Sequence, residues 1–239
     1  MKKIIQQLKK VGVHVIENNF DIGLEFFHNG LDYSNEIDTL IDELITATEE
    51  NGSKRILVEC PATLLHRLSK SKERMRIVGE RVIYTRKFSK QLDIKAPSHE
   101  IWSPSEPRAL IFLSEVMGVE IKEAEKFLSS MKTELPSQVN RMFTVYIIDG
   151  EPVGLVFPHI EPDTNQEGRM FWIGVHPKHL GKGHGKALHR IGLSRLQKEF
   201  YAKSYLGATK KGNLPMRRIM QSNGCQQSEN SMVSLEYIQ

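Results

Sequence analysis

Val175-His176-Pro177-Lys178-His179-Leu180-Gly181-Lys182-Gly183-His184-Gly185-Lys186-Ala187-Leu188 spells a strand end, a glycine-rich turn and a helix start. Met170–Val175 before it is a short apolar run suited to a central strand. His176-Pro177 closes that strand, because proline cannot donate to a ladder. Gly181, Gly183 and Gly185 alternate, and their missing side chains let backbone N–H groups converge. Leu188, Gly192, Leu196 and Phe200 then recur on one helical side. A helix N-terminus adds unpaired donors and the positive end of the dipole. With Lys182 and Lys186 the turn becomes an anion site suited to phosphate. A plain glycine-rich connection between strand and helix accounts for the same letters.

Two nucleotide motifs fail on this turn. A Walker A loop meets Leu180 at its first glycine position and Ala187 at its Ser/Thr position. A dinucleotide fingerprint counted from Gly181 or Gly183 meets Lys186 or Leu188 at its third glycine.

The pattern extends outward on both sides. Met142–Ile148 alternates as a strand, Asp149-Gly150 signals a hairpin, and Pro152–Phe157 supplies the partner, ended by Pro158. A polar loop from Glu161 to Gly168 leads to the central strand. Ser204–Thr209 and Ser231–Ile238 read as strands around a helix at Leu214–Asn223. Upstream, Ala109–Met117 and Ile121–Met131 read as helices. The predicted class is α/β (α+β), a mixed central sheet flanked by helices.

Residues 89–108, with Pro97, Pro104 and Pro107, read as a linker. The expected domains are 1–100, a smaller α/β unit, and 101–239. In the first, residues 1–50 read as helical or mixed, with Ile37, Leu40, Ile41, Leu44 and Ile45 at helical spacing. Arg55–Glu59 reads as a strand, Pro61–Glu80 as helix and Arg81–Lys87 as a strand. This order, with Gly79 before the strand, repeats in miniature the order of 204–238. The unit has no glycine-rich phosphate turn of its own, so no cofactor is expected there. An unrelated α/β cap fits the same letters.

The 239 residues are 26% charged and 39% hydrophobic, which excludes disordered and collagen-like chains. No apolar run approaches the ~20 residues of a membrane helix. The N-terminal Met1–Lys10 is too interrupted by Gln6, Gln7, Lys9 and Lys10 for a secretion signal. Only Cys60 and Cys225 occur, which excludes a disulfide scaffold and fits a reducing cytoplasm. The net charge of +4 does not itself point to nucleic acid, but residues 178–218 hold one acid, Glu199, among many bases.

The run V-x-P-x-x-x-G-x-G-x-G-K-A-L resembles the pyrophosphate motif of the GNAT superfamily of acyl-CoA-dependent N-acyltransferases. Its pattern, [RQ]-x-x-G-x-[GA], falls on Leu180, Gly183 and Gly185, with Leu180 departing from Arg or Gln. Asn213 to Cys225 resembles N-x-x-A-x-x-x-Y-x-x-x-G-F: Asn213 and Gly224 match, while Met216, Met220 and Cys225 replace Ala, Tyr and Phe. The resemblance covers about the last 130 residues, and the repeated order at 55–88 resembles the closing half of a second, degenerate GNAT-like unit within 1–100.

It implies transfer of an acetyl group from acetyl-CoA to an amine, a small molecule or a peptide, by direct attack on the thioester. No metal, nucleic acid or membrane is implied, and a homodimer is possible. Ile173 and Val175 would bind pantetheine through their backbone, beside a gap to the next strand. Leu180, Gly181, Lys182, Gly183, His184, Gly185 and Lys186 would cradle pyrophosphate, Asn213 would bond the pantetheine or phosphate end, and Lys210 and Lys211 could reach the ribose phosphate. Met220 cannot act as the acid that the family's Tyr provides; Ser222, Tyr201 and Tyr205 stand as other donors. The family's early-strand Glu is Arg169 here, so Glu167, two residues earlier, is the candidate general base, with His159 and Glu161 as rivals. His176, His179, His184 and His189 lack metal-site spacing. Phe171 and Trp172 adjoin the gap as sheet packing or pocket wall. A non-catalytic acyl-CoA-binding sensor and a basic nucleic-acid module are the competing functions.

Overall fold

The computed structural model describes residues 1–17, 21–26, 34–51, 55–89 and 94–238. In chain order its elements begin α1 (Lys2–Lys10), β1 (His14–Glu17), β2 (Asp21–Glu25), α2 (Ser34–Asn51), β3 (Arg55–Pro61), α3 (Ala62–Leu65), α4 (Ser69–Arg74) and β4 (Arg76–Lys87). They continue with β5 (His99–Ile101), α5 (Pro107–Met117), α6 (Ile121–Glu134), β6 (Thr144–Ile148), β7 (Glu151–Ile160), β8 (Glu167–Val175), α7 (His184–Lys198), β9 (Ser204–Lys210), α8 (Leu214–Ser222) and β10 (Gln226–Tyr237). Two compact units result: Met1–Ile83 with Ala208–Gly212 and Ser228–Gln239, and Tyr84–Gly207 with Asn213–Gln227. The first hundred residues thus contribute to both, because β4, β9 and β10 each carry residues of both units. No described helix is long and apolar enough to cross a membrane.

In the first unit the five apolar residues of α2 are buried against Ile22, Leu24, Ile56 and Val58 of β2 and β3. Burying such side chains stabilises by ~1.5–3 kcal/mol each. Asp38 on the same helix is buried too, and accepts from Ser71 N at 2.9 Å, Ser71 Oγ at 2.7 Å and Lys70 N at 3.0 Å. It satisfies the start of α4, whose own N-cap position is Leu68. β2 pairs with β3 in parallel along five positions, Asp21↔Arg55 to Glu25↔Glu59. β3 pairs antiparallel with β10 from Met232↔Pro61 to Tyr237↔Ile56.

Two segments differ from the sequence expectation here. β1 and β2 pair antiparallel, His14↔Glu25 to Glu17↔Ile22, inside the stretch read as helical or mixed. Arg76–Glu80 is strand, not helix: Arg76 donates to Glu236 Oε2 on β10 at 2.6 Å, so tertiary pairing overrides local pattern.

In the second unit the sheet runs β4-β9-β8-β7-β6-β5. Asp149 and Gly150 have φ of 50° and 82°, the left-handed pair a two-residue hairpin needs. β7 does not stop at Pro158. It continues to Ile160, with the proline at a register shift, where its missing donor costs no ladder bond. β5 lies within the expected linker and pairs with β6. The α6 ring of Phe127 meets Phe157 on one sheet face, and α7 packs on the other, against Val156 and Met170.

Candidate active site

β8 and β9 pair in parallel only at Glu167↔Ser204 and Gly168↔Tyr205. Beyond Gly168 the two strands part, and Met170–Val175 has no described ladder partner on its β9 side. These residues are all half-buried. The gap therefore opens along the second half of β8, beside Ile173 and Val175. In the first unit the parallel pair β2 with β3 is joined from Asp21↔Arg55 to Glu25↔Glu59.

The register shift shapes the same strand. Val156 faces Ile173 but Pro158 faces Met170, so β8 carries one extra residue at Phe171-Trp172. Strict alternation would put these two on opposite faces. The bulge brings both to the α6 side, where Phe127 lies 5.4 Å from Phe171 and 6.4 Å from Trp172. Ile173 and Val175 pack instead with Leu188 and Ala187 on the α7 side. Nothing in the letters of Phe171-Trp172 announces this; Pro158 opposite is the nearest sequence signal.

The glycine turn sits just past the end of β8. Gly181 and Gly183 have φ of 76° and 80°, and a side chain on either would point into open space. Gly183 is the N-cap of α7 and offers no capping side chain. Lys186 N donates to Gly183 O at 3.3 Å, and the N–H groups of His184 and Gly185 before it face an outside acceptor. Leu180, Lys182 and Lys186 are exposed, and His184 faces Tyr146 and His179 at 6.0 Å each. Gly185 lies against Ile219 of α8, 2.8 Å from where a Cβ would stand. These residues come together as one turn, with side chains absent where a phosphate would approach.

Asn213 is placed otherwise. Its Oδ1 accepts from Met216 N at 3.2 Å, so it caps α8. Lys211 pairs with Glu80 Oε2 at 3.0 Å. Met220 is buried in α8. Ser222 Oγ donates to Ile219 O, and Tyr201 is 75% exposed. Tyr205 is buried beside His189, Oη to Nε2 at 3.2 Å, and burial pushes its hydroxyl pKa well up. Burial likewise pushes His189 down to about 3. Asn223 Nδ2 lies 3.0 Å from both Lys186 O and His189 Nδ1. The carbonyl accepts only, so Nδ2 donates, His189 Nδ1 accepts, and the neutral ring carries its proton on Nε2.

Glu167, at the closed end of the gap, accepts from Arg169 Nε at 2.9 Å. Arg169 also faces Glu161 at 3.4 Å, and Glu161 faces His159 Nε2 at 3.2 Å. Among the described residues no metal-holding group of His, Cys, Asp and Glu occurs.

The family model for the GNAT acetyltransferase family matches residues 108–224. No curated protein matches the chain. Solved structures do. A GCN5-related N-acetyltransferase from Sphaerobacter thermophilus is 15% identical, with 94% of this chain and 75% of that one covered and a TM-score of 0.60. A GNAT-family acetyltransferase from Colwellia psychrerythraea is 10% identical, with 95% and 81% covered and a TM-score of 0.63. A tandem GNAT protein from the clavulanic acid pathway is 12% identical, with 94% and 77% covered and a TM-score of 0.65. At such identities the likeness is one of fold. Residues 108–224 thus carry the match to the GNAT acetyltransferase family model.

Proposed function

We propose that the chain is an acetyl-CoA-dependent N-acetyltransferase acting on a primary amine of a small molecule or peptide. One observation carries the reading: β8 and β9 part directly before an uncapped glycine turn. The open space at Gly181 and Gly183 fits a pyrophosphate, held by main-chain N–H groups of Gly181 to Gly185 and by the charge of Lys182 and Lys186, while Leu180 N and Lys186 N brace the turn on Pro177 O and Gly183 O. The backbone of Ile173 and Val175, on the open edge of β8, would hold the pantetheine arm in the manner of an added strand. An N–H of that edge would polarise the thioester carbonyl. Asn213 serves this site through α8, whose start it caps. Acetyl-CoA would supply the acetyl thioester. Two buried free thiols, Cys60 and Cys225, suit a reducing cytoplasm.

Met220 favours a second reading, a non-catalytic acyl-CoA sensor, since no proton donor stands at its position. Thermal unfolding with acetyl-CoA, CoA and ATP tests both. A ligand at ~100 times its dissociation constant adds ~2.7 kcal/mol, several degrees of Tm. Stabilisation by acetyl-CoA and CoA but not ATP supports the site; none from any of them refutes it. Thiol release with amines then separates enzyme from sensor.

A further inference from the structure

The α6 side of the sheet holds a polar group that the cofactor reading leaves unused. His159 lies near the end of β7, opposite Arg169 in register. It is thus one strand away from the point where β8 and β9 part, after Gly168↔Tyr205. It is only 4% exposed, and its Nδ1 has no hydrogen-bond partner. A buried polar atom without a partner is costly, and such atoms call for an explanation.

The ring is held from its other nitrogen. Nε2 lies 3.2 Å from Glu161 Oε2. An ionised carboxylate only accepts, so Nε2 carries the proton and Nδ1 of the neutral ring is a bare lone pair. Glu161 is itself fixed by a short loop. Its N–H donates to Glu167 O at 2.8 Å, its carbonyl accepts from Thr164 Oγ1 at 2.7 Å, and Thr164 Oγ1 accepts from Glu167 N at 3.1 Å. Gln138 ties down the preceding residue, bonding both N and O of Ile160 at 2.8 Å. Glu161 meets the imidazole directly, and Arg169, opposite His159 in register, pairs in turn with Glu161 and Glu167; from α6, Phe127 packs on Phe171, the ring that meets His159.

That surface is apolar. Phe171 meets His159 edge-on at 6.0 Å, and the bulge sets Trp172 beside it. Phe127, Phe171 and Trp172 are each half-buried, so part of this ring surface is open, while Nδ1 itself lies buried behind it.

We propose that His159 Nδ1 takes the proton of the acceptor amine, with Glu161 as its positioning residue and Phe127, Phe171 and Trp172 as the wall for an apolar or aromatic amine body. The inference rests on the acyl-transfer reading. The amine arrives as an ammonium ion and gives one proton to Nδ1. Its freed lone pair forms the C–N bond as the thioester C–S bond breaks. The second nitrogen proton ends on the departing sulfur, and the imidazolium returns its own to solvent. Substrate and thioester thereby give amide, thiol and one released proton.

The test uses the full chain. Nitrogen-15 NMR of the imidazoles at neutral pH is expected to find Nε2 protonated and Nδ1 bare in His159; a proton on Nδ1 overturns the inference without any turnover. With benzylamine as the acceptor and acetyl-CoA saturating, His159→Gln is expected to lower kcat at least about a hundredfold at neutral pH. The deficit shrinks as pH rises and free benzylamine accumulates, and KM for acetyl-CoA stays within about threefold. Glu161→Gln, on a more exposed residue, is expected to lower kcat about tenfold and blur the tautomer preference. Wild-type kcat in both variants overturns the role of His159. Thermal stabilisation by acetyl-CoA with no acetylation of benzylamine by the wild type overturns the apolar-amine assignment alone. Absence of stabilisation overturns the cofactor reading instead.

Discussion

Single residues in this chain separate by what a change would strike. Gly183, at φ 80° with open space around it, can gain a side chain without a clash but not without backbone strain, and Asp there sets a negative charge at the uncapped start of α7. Gly183→Asp is expected to abolish acetyl-CoA binding by calorimetry while the Tm falls by only a few degrees; unchanged affinity would sink the phosphate turn. Gly154 is the opposite case. An added Cβ would stand 2.7 Å from Gly174 O and 3.1 Å from Val175 Cα, both backbone atoms that cannot swing aside. Gly154→Ala should cost about 1–3 kcal/mol in urea unfolding, the range of overpacked cores. His189 carries a pH signature. Burial holds its folded pKa at about 3, below the ordinary histidine value of 6.5, so the unfolded chain binds the extra proton. Its contribution is complete above pH 6.5 and is lost as pH falls towards 3, roughly 3 kcal/mol by pH 4. In His189→Gln the stability curve between these limits should flatten relative to wild type; parallel curves would show that the imidazole charges without cost.

At the scale of elements, the parted strands set the expectation. Amides of Met170–Val175 on the β9 side have no described ladder partner, whereas β2 and β3 pair throughout Asp21–Glu25 and Arg55–Glu59. Acetyl-CoA should therefore slow hydrogen exchange in 170–175 and leave 21–25 and 55–59 unchanged; protection in the second region would mean that the first unit binds cofactor too. Much of this layer was legible in the letters. The helical spacing of Ile37 to Ile45, the Asp149-Gly150 hairpin and the alternating glycines before α7 are local signals, and each gives its element directly. What was not legible depends on a partner strand. Arg76–Glu80 follows a helical stretch and becomes strand through β10. Phe171-Trp172 alternate in sequence yet share a face, because the register with β7 slips by one residue. The polar cluster of His159, Glu161, Glu167 and Arg169 forms only when the β7–β8 register is known, so the choice among those residues could not be made from spacing. Asn213 illustrates the reverse: its motif position was plain, but its capping of α8 was not.

For the whole molecule, the question is whether either stretch of sequence can fold without the other. A single cut at residue 100 is natural from composition, since Pro97, Pro104 and Pro107 mark a linker. Yet the second compact unit includes Tyr84–Lys87 of β4, and the first includes Ser228–Tyr237 of β10. β10 pairs with β3 over six positions, and its Val233 and Leu235 are buried in the core formed by α1, α2, β2 and β3. A fragment of 101–239 keeps β10 but loses β3, leaving a 12-residue strand with unpaired backbone and exposed valine and leucine. The same fragment strips β4 from beside β9, removing Phe88 N to Lys203 O at 2.9 Å and the Arg86 cap on Asn223 O. Conversely, 1–100 loses β10 from its sheet and Arg76 loses the Glu236 carboxylate. Each fragment alone should therefore aggregate or show no sharp chemical-shift dispersion, while the full chain unfolds cooperatively. Co-expressed as separate chains, 1–100 and 101–239 should recover a soluble complex, because every strand then finds its ladder. A folded, acetyl-CoA-binding 101–239 fragment would refute this and mean that β10 can close the second unit by itself.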